Sequence, residues 1–245
     1  MQRLRNQADF VIYQSAFCQR SAEKFLGPSD TPSKILLNPV DLETFSPPRE
    51  PLPQTPLRLL AMGTQNYPAR ALCAIDAAGV LLAGGIDCTL TLAGALLWKN
   101  GEEEVATRVR QSGLEGRFKR WGAFGREKAV DLCRSHHLLL HPKYMDPCPT
   151  VVAEALASGL PVVGSDSGGL PEMVDPSCGI LLPVEETWED LPTPSGEAIA
   201  EAVAKLVAQL PKISQAARTK AEELFNQPRW IDAHARIFLQ LAETL

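Results

Sequence analysis

No cluster of Lys and Arg occurs anywhere in these 245 residues, and the formal net charge is −5. Phosphate backbones are held by grouped cations, so nucleic acid is not an expected partner. Nor do about 18 uncharged apolar residues run together, the length a membrane-crossing helix needs. The opening stretch, MQRLRNQADFVIYQ, carries Arg3 and Arg5 but no apolar segment of signal-peptide length. A soluble, cytoplasmic chain is the expectation, with peripheral membrane contact still compatible. C-x-x-C pairs are missing too: the cysteines at 18, 73, 88, 133, 148 and 178 stand singly. Several lie inside apolar segments, as thiols packed like small hydrophobes do, and a reducing compartment fits them. His136, His137 and His141 approach Cys148 in sequence, but no second pair closes a four-ligand set, so no metal is expected. Internal repeats and low-complexity tracts are absent.

What is present is a packed globule, with 45% hydrophobic residues. The length suits one large α/β domain, or one domain with pieces of another. From Leu57 onward short apolar runs alternate with helical patterns. LRLLAMG, CTLTLAG, RFKRWGAF, HLLLH, PVVGS and GILLP read as strands. ARALCAIDAAGVLLAG, EEEVATRVRQSG, REKAVDLCRS and a segment from Thr150 read as helices between them. About six parallel strands with crossover helices make a doubly wound, Rossmann-like sheet. Before it, residues 8–27 read as one strand and one helix, and KILLNPVDLETFSPP as a strand entering a Pro-rich joint; one such unit cannot bury a core alone. After it, an acidic, Pro-rich surface loop precedes a one-faced helix stopped by Pro211, and two more helical stretches follow.

The densest chemistry lies in DPCPTVVAEALASGLPVVGSDSGGLPE, from Asp146 to Glu172. Pro147 and Pro149 forbid a helix through Asp146, which therefore belongs to the loop after HLLLH. Glu154 then sits about one turn into a helix that Thr150 is suited to cap. Open α/β sheets bind ligands beyond the carboxyl ends of their strands, so both acids and the helix start face one crevice. Free amides around Thr150 and Val151 and the positive dipole end suit a phosphate oxygen. Carboxylates would repel that phosphate and instead grip neutral hydroxyls, and a phosphate between two polyols describes a nucleotide sugar. The same spacing equally admits Glu154 as a helix-internal cap or ion pair and Asp146 as a turn acid. GSDSGG is not a nucleophile elbow, because Ser167 has Ser165 two places before it where the elbow has Gly; Glu172 reads as a cap for the short LPEMV helix.

The acid at 146, the Glu at 154, EALASGLPVVGSDSGGLPEMV and GILLPV together resemble the C-terminal half of the retaining GT-B glycosyltransferases of family 4, the glycosyl transferases group 1 family. ADFVIYQSAFCQRSAEKFLG and NPVDLETFSP look like the end of that family's N-terminal domain and the crossing into its second. The resemblance implies a remnant of the N-terminal domain over residues 1–50, a nucleotide-sugar (donor) domain over 51–210, and C-terminal helices over 211–245 that pack back toward the N-terminal domain. It implies that Glu154 bonds the ribose and Asp146 the donor sugar, while backbone around Pro149, Thr150 and Val151 holds the diphosphate. The base falls near Gly122 and Ala123. His141 lines the crevice, and the loop bearing Ser165 and Gly168 borders it.

Three departures from the family stand out. The first acid is Asp where Glu is usual, which shortens reach by one methylene. At MGTQNYPARA, where the family has G-R and then K-G, Gly63 is followed by Thr64, and Arg70 is the nearest cation for the diphosphate. The acceptor-bearing domain is represented only by its last βα unit. The expected activity is transfer of a sugar from a nucleotide-sugar donor to a saccharide or lipid-linked acceptor, with retention and without metal or other cofactor. Asp146 and Arg70 carry the catalysis, and a missing domain or partner chain completes the site. The rival reading is a non-catalytic nucleotide-sugar binding module or partner subunit; a weaker third is a hexose-nucleotide epimerase.

Overall fold

A computed structural model describes residues 1–243; the last two residues of the C-terminal segment 211–245 lie outside the described residues. Six strands, β3 (Leu57–Met62), β4 (Cys88–Ala93), β5 (Phe118–Trp121), β6 (Leu138–His141), β7 (Val162–Asp166) and β8 (Gly179–Pro183), form one parallel sheet in the order β5-β4-β3-β6-β7-β8. Before them come α1 (Gln2–Asn6), β1 (Val11–Tyr13), α2 (Ala16–Leu26) and β2 (Ser33–Ile35). The crossover helices are α3 (Pro68–Ala83), α4 (Gly101–Gln111), α5 (Arg126–Ser135) and α6 (Thr150–Ala157), followed by α7 (Gly196–Val207), α8 (Leu210–Leu224) and α9 (Gln227–Ala242).

The central strands are apolar on both faces because helices cover both. Leu59, Ala61, Leu138 and Leu140 pack with α3, α4 and α7, while Leu60, Met62 and Leu139 pack with α5, α6 and α8. That split by alternate residues is the period of two of a strand, and it produces two cores, one on each side of the sheet. Chain order runs outward from β3 through β4 to β5, then returns to β6 and runs outward the other way. The switch point therefore lies between β3 and β6, and the loops leaving their carboxyl ends, at Gly63 and at Pro142, flank the crevice.

The N-terminal unit is a two-stranded parallel sheet, β1 with β2, joined by α2. Its strands are half-buried or exposed, and Phe17 is the one apolar side chain of the unit that is fully buried. Its attachment to the larger sheet is specific. The Glu172 carboxylate accepts the amides of Ala16 at 2.7 Å and Phe17 at 3.0 Å; sequence had it capping its own short helix, and it instead caps α2 from 156 residues away along the chain. Trp188, from the acidic surface loop, stacks on Phe17 with centroids 5.9 Å apart and meets Phe25 edge-on at 5.0 Å. Tyr144 holds that loop through its hydroxyl, which bonds both the amide and the carbonyl of Thr187.

Two local expectations change. α7 ends at Val207, and Pro211 stands in the first turn of α8, where its missing N–H costs nothing; the proline opens a helix instead of stopping one. α1 escaped the sequence reading because it has no side-chain cap and a single buried residue, Arg5, whose guanidinium donates to the carbonyls of Leu26, Gly27 and Pro28 at the end of α2. α8 lies against α6, and Arg218 on it donates to the carbonyls of Leu42, Phe45 and Ala157.

Candidate functional site

A cleft of about 550 Å³ opens beside the first turn of α6. That volume is in the range of small-molecule sites. Thr150, Val151 and Glu154 form one wall, Phe124 and Arg126 a second, and Asp41 with Phe45 a third. The N-cap of α6 is Pro149, not Thr150, and no side chain caps the helix. A helix start leaves its first amides without intrahelical acceptors. Thr150 and Val151 are these positions, and the Pro149 carbonyl already receives the amides of Val152 and Ala153.

Glu154 is half-buried in this cleft. Burial raises its carboxyl to about 7, opposed by the charge of Arg126. No hydrogen bond from another described residue accounts for its position, so neither the helix-internal cap nor the ion pair left open by the spacing is formed. Arg126 is turned to Asp41, whose Oδ2 it meets at 2.7 Å.

Asp146 lies outside this lining, in the loop after β6, and is 9% exposed. Its Oδ2 is 2.9 Å from Lys143 Nζ and 3.3 Å from His141 Nε2. Burial alone would raise the Asp146 carboxyl, but the contacts with His141 and Lys143 outweigh it and hold it at about 2. His141 is fully buried, and burial depresses its ring to about 4, so at neutral pH it is an uncharged imidazole. The approach of Nε2 to Asp146 is too poorly directed for a full hydrogen bond, and Nδ1 has no partner among the described residues. His141 thus fills space under the loop with unmet donor and acceptor capacity. Met145, at φ 47°, takes the left-handed turn that places Asp146 here.

Gly168 and Gly169 close that loop from behind. A Cβ on Gly169 would lie 2.0 Å from the Pro147 carbonyl oxygen, and one on Gly168 would lie 2.5 Å from that of Asp146. Backbone touches backbone there, which only glycine permits. Ser165 is fully buried and donates to the Lys143 carbonyl at 2.7 Å; it shapes the loop and has no surface on the cleft.

Arg70 is 4% exposed. Its guanidinium bonds the carbonyls of Met62, at 3.1 Å, and Thr64. It is therefore not the open fork expected from sequence: it supports the Gly63–Thr64 turn from beneath. A Cβ on Gly63 would lie 3.3 Å from Arg70 Nη2 and 3.5 Å from a Val151 methyl, so the turn, the cation and the first turn of α6 are in contact range. Burial lowers the Arg70 guanidinium, and Asp146 acts in the opposite sense. Gly122 and Ala123 are exposed at the end of β5, and the next residues of that loop, Phe124 to Arg126, line the cleft in their place.

Sequence reasoning passed over the cations Lys143 and Arg126, as it did the cleft residues Asp41, Phe45 and Phe124. Lys143 stands three positions before Asp146, an ion-pair spacing that could have been noticed; Arg126 is far from any motif and only the fold brings it to Glu154. His136 and His137 have structural work. His136 bonds Thr91 Oγ1 at 2.8 Å and the Leu132 carbonyl at 2.7 Å, and His137 accepts the Arg58 amide at 2.9 Å. Among the described residues no three His, Cys, Asp or Glu side chains converge as metal ligands, and no helix is long and apolar enough to cross a membrane. All six cysteines are free.

The family model described as glycosyl transferases group 1 matches residues 56–209. The putative colanic acid biosynthesis glycosyltransferase WcaL of Escherichia coli K12 is 26% identical over 199 residues, covering 77% of this chain and 46% of that protein. The chain spans less than half the length of the curated relatives it matches. Among solved structures, sucrose-phosphate synthase from Thermosynechococcus elongatus superposes with a TM-score of 0.79 at 21% identity, over 100% of this chain and 61% of that one. Anabaena HepE in complex with UDP-glucose superposes with a TM-score of 0.74 at 20% identity, over 98% of this chain and 66% of that one. With the six-stranded parallel sheet, the cleft at its switch point and a family match over more than half of its length, the chain belongs to the glycosyl transferases group 1 family and has the fold of the C-terminal half of a GT-B glycosyltransferase.

Proposed function

We propose that this chain supplies the donor site of a retaining glycosyltransferase that moves a sugar from a nucleotide-diphosphate sugar to a saccharide or lipid-linked acceptor. The observation that carries the reading is Glu154: a half-buried carboxylate without a hydrogen-bond donor, in one cleft with the open amides of Thr150 and Val151. A neutral diol satisfies the first and a diphosphate the second, which is the order of groups in a nucleotide sugar. Family membership and a fold shared with a UDP-glucose complex support it.

In this reading the bond from the anomeric carbon to the diphosphate breaks while the α6 amides and the helix dipole face the leaving oxygens, and the Arg70 charge acts from beneath the Gly63 turn that it supports. Preorganised charge of this kind is the largest single contribution in many enzymes. Asp146, fixed by Lys143 and His141, faces donor-sugar hydroxyls. The scheme uses no metal or cofactor, and the free thiols fit the cytoplasm. A facing domain or partner chain brings the acceptor. Ile231, Phe238 and Leu239 on α9 are more than half exposed and offer such a chain an apolar surface. That same uncovered face favours a second reading, a nucleotide-sugar binding subunit without turnover of its own.

Calorimetric titration with nucleotide sugars tests the donor site. Specific binding that Glu154→Ala weakens more than Asp146→Ala is expected. Equal or negligible effects of the two variants would overturn the assignment of roles.

A further inference from the structure

Arg126 stands at the first residue of α5, and its side chain is 60% exposed on the cleft. The structure gives it one ion pair, to Asp41 Oδ2, through one terminal nitrogen, and its guanidinium lies 5.9 Å from the centroid of the Phe45 ring. Asp41 is itself immobilised. Its Oδ1 accepts the amides of Glu43 and Thr44, and its Oδ2 accepts the Thr44 hydroxyl at 2.6 Å. A rigid carboxylate on one side and an aromatic face on the other thus aim a planar group of five donors, most of them unused, into the cleft.

Glu154 and the α6 amides fix which end of the cleft this is. With the diphosphate at Thr150 and Val151 and the ribose at Glu154, the base extends away from α6 toward the remaining walls. Those walls include Phe124, Gly125 and Arg126 from the loop after β5, with Phe45 beside Arg126. We infer that Arg126 reads the base of the nucleotide and that its free donors select guanine. Guanidinium only donates. Guanine presents two adjacent acceptors, O6 and N7, that match a fork; adenine sets an N6 donor beside N7, and uracil presents the single acceptor O4 on its corresponding edge. The inference rests on the proposed donor site and adds to it the class of nucleotide and the residue that chooses it.

The test is calorimetric titration of the whole chain with GDP, UDP and ADP, repeated for Arg126→Lys and Arg126→Gln. An exposed side chain with one ion pair is replaceable without unfolding, and a thermal melt of each variant verifies that. GDP is expected to bind the unaltered chain at least about tenfold more tightly than ADP, and more tightly than UDP. Both variants are expected to lose about 5- to 150-fold in GDP affinity while UDP and ADP change by less than about threefold, since a bidentate base contact is worth about 1–3 kcal/mol of discrimination. Lys keeps the charge and loses the fork, so its agreement with Gln separates base reading from general attraction. Preference for UDP or ADP, or an equal loss for all three nucleotides, would overturn the inference while leaving the donor site standing. Binding of none of them would remove the donor-site reading and this inference with it.

Discussion

Half-buried and without a hydrogen-bond donor, the Glu154 carboxyl lies at about 7 against an ordinary 4.5, with Arg126 and Asp41 the other charged side chains of its cleft. An acid whose folded value is raised binds an extra proton in the native state, so its contribution to stability declines as pH rises from about 4.5 to about 7. Glu154→Gln is therefore expected to stabilise the ligand-free chain at pH 8 by about 1–2 kcal/mol, after allowance for solvent at the cleft mouth, as read by urea unfolding. The same variant is expected to lose about tenfold or more in nucleotide affinity, because a charge-assisted bond to ribose is worth about 1.5–3 kcal/mol. Ribose hydroxyls donate to the ionised form, so affinity should rise with pH through about 7 and level off above it. A flat profile between pH 6 and 8 would separate Glu154 from the ligand. Asp146 behaves oppositely: held at about 2, it contributes stability above its ordinary 3.8 that is lost as pH falls through the folded value.

Among the elements, α2 depends on a cap that belongs to a distant loop. Glu172→Ala removes both bonds to the amides of Ala16 and Phe17, and a loss of about 1–3 kcal/mol is expected, with faster hydrogen exchange confined to α2. Exchange that quickened equally across the six-stranded sheet would mean that α2 is not a separable unit. The loop between β6 and α6 is held by contact between backbones. Gly169→Ala drives a methyl against the Pro147 carbonyl, and about 2 kcal/mol or more of destabilisation is expected, together with weaker nucleotide binding as Asp146 and the α6 start shift. Normal affinity in a folded Gly169→Ala chain would show that the loop does not position the site. The two-glycine run was visible in sequence, but the oxygens it accommodates were not, because they come from residues 146 and 147.

At the scale of the whole molecule the sheet is covered on both faces, whereas α9 and the N-terminal unit are only partly covered. Ile231 is 54% exposed and Phe238 63%. Replacing both with Asp is expected to change unfolding free energy by less than about 0.5 kcal/mol per site and to lower self-association at high concentration in sedimentation. A large loss of stability would instead place these side chains in the fold of this chain. The trace from β3 to β5 and back to β6 puts the crevice between the two returning paths, which is why a single loop, 142–149, can bond both Tyr67, just after the Gly63 turn, and Asn38, in the segment that follows the N-terminal unit.

Much of this was written locally. The mostly apolar runs from Leu57 to Pro183 specified parallel strands, because a strand buried on both faces is largely apolar, and the alternating helices specified a doubly wound sheet. Pro147, Pro149 and Glu154 specified a loop, a helix start and an acid one turn in, because proline geometry acts over neighbouring residues. Tertiary structure decided what those groups face. Arg70 became a buried support for a turn because its fork found the Met62 and Thr64 carbonyls. Asp146 became a fixed ion because Lys143 and His141 lie against it, Glu172 became the cap of a helix from the other end of the chain, and Arg126 joined Glu154 across 27 intervening positions. Charges and hydrogen bonds act through space with no fixed sequence spacing, so these partners follow from the fold, whereas strand, helix and turn follow from the chain.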